Sequence, residues 1–218
     1  MAGRGTRSAA FVARRRLLAA AGAPLGLAVP AAAQPARGDA RAPTPAQTRG
    51  PFYPPDPPRD AGADLVIERG GARALGELAV LSGRVLDTAG RPLAGTVVEL
   101  WQCNANGRYH HPRDDGPGAV DPLFRGFGRT TAAADGGFRF RTIRPVAYPG
   151  RTPHLHVQFV APGGARLVTQ VYVRGEPGNA RDGLLSWLSP DERERLMSTF
   201  ERDAAGVWQA SFEAVLAA

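Results

Sequence analysis

The sequence predicts a mainly β protein, an antiparallel β-sandwich core with one helix in its C-terminal region. Three observations carry that expectation. Short β-branched and apolar runs recur at close intervals between Gly, Pro and Asp turns. Helix start signals gather at a single place. The 218 residues are 43% hydrophobic and 22% charged, the balance of a globular chain able to bury one sizeable core.

The elements follow in order. Leu78 to Asp87 alternates apolar and polar side chains, Thr88-Ala89-Gly90-Arg91-Pro92 supplies turn chemistry, and Thr96 to Gln102 is again β-branched and apolar, which predicts a hairpin or its Greek-key equivalent. Further strands are expected at Phe127 to Thr131, Gly137 to Arg141 behind the Asp135-Gly136 turn, His154 to Ala161, Arg166 to Arg174 behind Pro162-Gly163-Gly164, and Gly206 to Leu216. Short strands at this spacing belong to a sandwich. The helix begins where Ser189 caps, Pro190 takes the first helical position and Glu192 completes a capping box ahead of Leu196, Met197 and Phe200.

Two segments precede the core. Residues 1–33 hold Arg4, Arg7, Arg14, Arg15 and Arg16 without an acid, an apolar stretch from Leu17 to Val29, and Ala31-Ala32-Ala33 before Gln34, the pattern of a cleavable export signal. Arg14-Arg15-Arg16-Leu17-Leu18 resembles the twin-arginine version, which predicts a protein exported to the periplasm or beyond. The apolar stretch falls short of the roughly 20 residues a bilayer span needs, so no stable membrane anchor is expected. Residues 34–63 are crowded with proline and carry neither helical nor strand period, hence an extended arm. The β-sandwich domain then spans 64–218.

Composition excludes several functions. The formal charge of +7 falls to +2 without the five leader arginines, so it does not mark a nucleic-acid surface. The chain has no lysine, which removes Schiff-base and P-loop chemistry. One cysteine rules out an internal disulfide framework, and no G-x-S-x-G elbow is present.

What remains are the residues able to hold a metal: Tyr109-His110-His111, Tyr148, and His154-Leu155-His156. On a strand the two imidazoles of His154 and His156 project from the same face. Together with Gly50-Pro51-Phe52-Tyr53, the run Trp101 to Tyr109, Arg144 to Pro149, Arg151-Thr152-Pro153 and Thr169-Gln170-Val171-Tyr172, these motifs resemble the intradiol ring-cleavage dioxygenases, nearer the protocatechuate branch, over about residues 48 to 216. The resemblance implies a β-sandwich with long active-site loops. It implies a mononuclear non-haem Fe(III) held by Tyr109, Tyr148, His154 and His156, and O2-dependent cleavage of a catechol to a cis,cis-muconate-type dicarboxylic acid. Two phenolates suit a ferric ion better than the two-His, one-carboxylate set of Fe(II) sites. The resemblance also makes Tyr148 a base as well as a ligand. It makes Arg151 the guanidinium that stabilises charge on the substrate, and Pro51, Tyr53 and Gln170 residues bordering it. His110 and His111 read as loop histidines, either of which could meet a substrate substituent, and Cys103 as buried and inert.

Two rivals stand beside this reading. The stretch Ser82 to Leu100 is also the opening of transthyretin-like and carboxypeptidase-regulatory-like modules that only bind or space. A zinc site from His154, His156 and His110 would leave the tyrosines unexplained. The sequence leaves a homo-oligomer open. Only two residues separate Tyr148 from Arg151, which predicts a less enclosed site unless the proline-rich arm fills the gap.

Overall fold

The structure, a computed structural model, describes residues 1–3 and 40–217. The leader reading and the first residues of the arm, 4–39, lie outside the described residues. By its contacts the chain falls into two units, Met1–Ala36 and Arg37–Ala218, and the description concerns the second. No helix among the described residues is long and apolar enough to cross a membrane.

The strands are β1 (Glu68–Arg69), β2 (Ala72–Arg73), β3 (Leu78–Asp87), β4 (Val97–Trp101), β5 (Phe127–Thr131), β6 (Gly137–Ile143), β7 (His154–Val160) and β8 (Arg166–Val173). A short 3-10 helix Pro177–Arg181, α1 (Gly183–Ser186) and α2 (Pro190–Glu194) precede β9 (Met197–Ser198), β10 (Phe200–Arg202) and β11 (Trp208–Leu216). One sheet has the order β10-β11-β3-β6 and the other β5-β4-β7-β8-β9, while β1 and β2 pair by themselves. Leu81, Val85, Phe140 and Phe212 from the first sheet meet Leu100, Leu155, Val157 and Phe159 from the second in one buried cluster, so the core lies between the layers.

Three expectations are corrected. The sheets are mixed rather than purely antiparallel: β11 runs parallel to β3 over nine residue pairs, and β9 parallel to β8 over two. Of the two alternatives expected for β3 and β4, hairpin or Greek-key equivalent, the hairpin is excluded, because their apolar faces meet across the sandwich instead of side by side; the chain changes sheets after the Leu86 to Pro92 bridge. The helix opens with the expected cap and capping box at Ser189 and Glu192 but ends at Glu194. Leu196 turns into a small cluster with Tyr172 and Leu185, and Met197 and Phe200 join strands because the edges of β8 and β11 offer open backbone partners there.

The arm has neither helix nor strand over residues 40–50 and passes through turns and bends at 51–53, 55–56 and 59–60. The amides of Arg41, Thr44 and Gln47 donate to Thr88, Val215 and Val168, at 2.8, 2.9 and 2.8 Å. Bonding at every third residue is the period of a polyproline-type helix. The arm thereby crosses the edges of both sheets and reaches the outer face of the five-stranded one.

Candidate metal centre

The side chains of β7 alternate, with Leu155, Val157 and Phe159 in the core and His154, His156 and Gln158 on the outer face. Register places Trp101 and Gln170 on either side of His156, and Tyr172 beside His154. Trp101 stacks on the His156 ring, centroids 4.9 Å apart and planes within 10°, which fixes the imidazole plane.

The two tyrosines arrive from loops. Asp114 accepts the Tyr109 amide at 2.6 Å, and Asn104 accepts the amides of Asn106 and Arg108 at 2.9 and 3.1 Å, so the segment before Tyr109 is closed on itself. Tyr148-Pro149-Gly150-Arg151 is a tight turn, with Arg151 N donating to Tyr148 O at 2.9 Å and Gly150 at φ 81°, where proline suits the second position and glycine the third.

The structure brings all four expected donors together. Ring centroids are 5.5 Å apart for Tyr109 and Tyr148, 5.5 Å for Tyr148 and His154, 4.8 Å for His154 and His156, and 6.3 Å for Tyr109 and His156. His154 Nδ1 faces Thr152 O at 2.7 Å and donates to it, which leaves Nε2 with its lone pair, 3.2 Å from His156 Nε2. Two nitrogens about 2.1 Å from one ion and near a right angle stand about 3 Å apart. His154 and His156 are each 2% exposed and Tyr109 is 3%. Burial holds the His154 pKa at about 3 and His156 well below its ordinary value, so both imidazoles are neutral, the form that binds metals. Burial raises both phenols, Tyr109 far above the usual range. Tyr109 Oη and His156 Nδ1 are buried without a partner. Among the described residues no group of three or more His, Cys, Asp and Glu is placed to hold a metal, so an ion here would need phenol oxygens. Neutral imidazoles and phenols that only a strong positive charge could ionise fit a hard, highly charged cation.

Arg151 is fully oriented. Its Nε donates to Asp182 Oδ2 at 2.9 Å, its Nη2 to Gln170 Oε1 at 2.6 Å and Tyr172 Oη at 3.1 Å, and its Nη1 lies 3.4 Å from Tyr148 Oη. Gln170 is fully buried and spends its oxygen on Arg151 and Tyr172, so it holds the guanidinium rather than bordering an open pocket. Asp182 was not among the expected site residues. Its Oδ1 caps α1 through the amides of Leu184 and Leu185, and while burial pushes its pKa up, the hydrogen bond and charge of Arg151 pull it below the usual carboxylate range. An Asp ahead of a short helix reads as a cap in sequence, but its partner 31 residues upstream does not.

The arm also departs from expectation. Pro51 is exposed, and its carbonyl accepts from Arg113 Nη2 at 2.8 Å. Tyr53 turns away from the donors: its Oη donates to the buried Glu99 at 2.8 Å, Arg49 lies 4.3 Å over its ring, and burial, then Glu99, push its pKa up to about 12. Glu99 also receives Gln158 at 2.7 Å and pairs with Arg129, a network that fastens the arm. Phe52, between Pro51 and Tyr53, is the residue facing the site, 4.9 Å from the Tyr109 ring and 6.3 Å from Tyr148. A Cβ on Gly50 would come within 3.3 Å of His156 Cε1, so only glycine gives the arm this close an approach without strain. The arm therefore covers the donors that the short turn leaves bare. His110 is exposed and lines a separate cleft with Arg125 and Phe127, which removes it from the zinc reading. His111 is half-buried beside Phe52, at 5.8 Å. Cys103 is buried, with its thiol pushed up to about 12 by desolvation.

The β-sandwich and the two tyrosines and two histidines gathered at its outer sheet face match what the resemblance to the intradiol dioxygenases implies. Residues 48–218 match the family described as Dioxygenase, and the chain belongs to it. It is 44% identical over 137 residues to the protocatechuate 3,4-dioxygenase beta chain of Burkholderia cepacia, covering 59% of this chain and 58% of that one. It is 34% identical over 186 residues to the 6-chlorohydroxyquinol 1,2-dioxygenase of Cupriavidus pinatubonensis, covering 77% and 62%. The dioxygenase domain of a dioxygenase carbohydrate-binding protein fusion from Streptomyces sp. SirexAA-E superposes with a TM-score of 0.64 at 35% identity, over 81% of this chain and 99% of that one. The chain spans about six-tenths of the length of the curated relatives it matches. The family uses non-haem iron. Membership removes the spacer-module reading, which had no account of the donor set.

Proposed function

We propose that the protein cleaves a catechol between its two hydroxyl-bearing carbons, consuming O2 and giving a cis,cis-muconate-type dicarboxylic acid. The observation that carries the reading is the convergence of Tyr109, Tyr148, His154 and His156 with a buried, unpartnered phenol oxygen among them. These four would hold a ferric ion, whose charge would favour the deprotonated form of a catechol and whose redox chemistry would make the ring reactive towards O2. The protein's own groups do the rest. Tyr148, half-buried and beside Arg151, is the ligand placed to accept a catechol proton at Oη: burial raises its phenol, the guanidinium offsets part of that rise, and the charge of a bound ion would supply the rest. Arg151 presents Nη1 toward the same region with its other nitrogens tied, a donor that pays no reorganisation when charge develops on the substrate. Phe52 against the phenol rings and Trp101 against His156 exclude water from the donors, which keeps these electrostatic effects strong. The family's relatives act on protocatechuate, hydroxyquinols and catechols by their names, and a substrate of that class is the proposal here.

The leader supports a further reading, export of the folded protein by the twin-arginine route to the periplasm or beyond. Oxygen uptake by the purified, iron-loaded chain tests the activity: one O2 consumed per catechol, with a dicarboxylic acid as product, supports it, and no uptake across protocatechuate, catechol and hydroxyquinol refutes it.

A further inference from the structure

The arm reaches Arg151 as well as the donors. Gln170 and Tyr172 are two apart on β8, so both project from the outer face, where register sets them opposite His156 and His154. Each gives Arg151 Nη2 an acceptor, at 2.6 and 3.1 Å, and each is itself fastened to the arm. Gln170 Nε2 donates to Thr48 O at 3.3 Å, and Tyr172 Oη donates to Gln47 Oε1 at 2.8 Å. Two further bonds lock the arm in this register: Gln47 N donates to Val168 O at 2.8 Å, and Thr169 Oγ1 to Pro45 O at 2.7 Å. β8 offers these partners because β9 pairs only with its last two residues, Tyr172 and Val173.

The bond to Gln47 decides how Tyr172 meets the guanidinium. A phenol has one hydrogen to donate. Two acceptors stand within its reach, Gln47 Oε1 at 2.8 Å and Gln170 Oε1 at 3.1 Å. With the hydrogen on Gln47, the oxygen of Tyr172 faces Arg151 as an acceptor, and Gln170 Oε1 is left to Nη2. Without Gln47 the hydrogen falls to Gln170 Oε1, and phenol and guanidinium share that oxygen, which weakens the hold on Nη2. Tyr172 is fully buried, so its ring stays in place and the change travels through the hydroxyl. Nη1, on the same rigid plane and 3.4 Å from Tyr148 Oη, turns with Nη2.

We propose that Gln47 is a positioning residue: by taking the Tyr172 hydrogen it keeps Arg151 Nη2 in place and so aims Nη1 at the region where charge develops on the substrate. The inference rests on the dioxygenase reading, in which Arg151 stabilises that charge, and it extends that task to the arm.

The test uses the full chain loaded with Fe(III), as wild type, Gln47→Leu, Gln47→Glu, Tyr172→Phe, and Gln47→Leu combined with Tyr172→Phe. Oxygen uptake with the best of protocatechuate, catechol and hydroxyquinol gives kcat and KM. Calorimetry with oxygen excluded gives affinity for the same compound, and metal per chain gives iron retention. Gln47→Leu keeps the bulk of the side chain and removes the acceptor, so kcat should fall roughly three- to tenfold, the range of one hydrogen bond, while affinity and iron retention stay within about twofold of wild type. Gln47→Glu keeps Oε1 and should recover most of kcat. Added to Tyr172→Phe, Gln47→Leu should lower kcat no further, since both remove the same link.

A kcat within about twofold of wild type in Gln47→Leu, or a loss that adds in full to that of Tyr172→Phe, overturns the assignment. So does a fall in affinity or iron retention as large as the fall in kcat, which would make Gln47 a fastener of the arm alone. Tyr172→Phe keeps the ring packing and carries the test where Gln47→Leu does not fold: an unchanged kcat there breaks the link. No oxygen uptake by the wild type overturns the dioxygenase reading and the inference with it, whereas wild-type uptake that Gln47→Leu leaves intact overturns the inference alone.

Discussion

The five-stranded sheet buries both of its faces with opposite chemistry. Its inner face, with Leu155, Val157 and Phe159 from β7, meets the other sheet and needs nothing but packing. Its outer face, with His154, His156 and Gln158 from the same strand, is just as buried because the arm lies over it. Polar groups under cover must find partners. At the Glu99 end they do, through Arg129, Gln158 and Tyr53, whereas at the His156 end Tyr109 Oη finds none. The difference separates a face that builds the fold from a face whose chemistry is completed from outside the chain.

Substitutions across one strand should pull the two faces apart. His156→Ala should abolish iron retention, measured as metal per chain after gel filtration, while Phe159→Ala on the inner face should cost about 3–5 kcal/mol of stability in denaturant titrations. If iron retention is unchanged in His156→Ala, the outer face has been misread. Tyr148→Phe keeps the ring and removes the base, so kcat should fall by roughly 10²–10⁴ with iron still bound through the other three donors. Asn caps helices as well as Asp, so Asp182→Asn should leave α1 in place yet lower kcat/KM by about 10- to 100-fold through a loosened Arg151, since hydrogen bonds between charged groups contribute about 1.5–3 kcal/mol. A rise in KM with kcat intact would move Arg151 from charge stabilisation to simple binding.

A further effect concerns pH. In the metal-free protein burial, then the charge of Arg151, hold His154 at about 3 against an ordinary value near 6.5. Between those values the unfolded chain binds more protons, so stability should decline as pH falls from about 6.5 towards 3. Denaturation of metal-free His154→Asn across that range should show a flatter profile.

Much of this was legible in the sequence, for physical reasons. Leu78 to Asp87 and Phe127 to Thr131 are strands over the very residues whose alternation predicts them. The His154-Leu155-His156 spacing shows that two imidazoles share a face because the strand period is two. Tyr109 and Tyr148 were legible only through family motifs, since loops carry no period. Asp182 and Glu99 were not legible, because their partners Arg151 and Arg129 lie 31 and 30 residues away in sequence. The turning of Tyr53 toward Glu99, and of Phe52 toward the tyrosines, depends on where the arm crosses the sheet, which composition does not specify.

The central claim is that two phenols and two imidazoles on the outer face hold one ferric ion. The visible absorption spectrum of the iron-loaded chain tests it most directly. Phenolate-to-Fe(III) charge transfer should make the protein red-brown, with the band weakened and shifted in Tyr109→Phe and Tyr148→Phe. A colourless protein with iron bound, or a band that neither substitution moves, would contradict the claim.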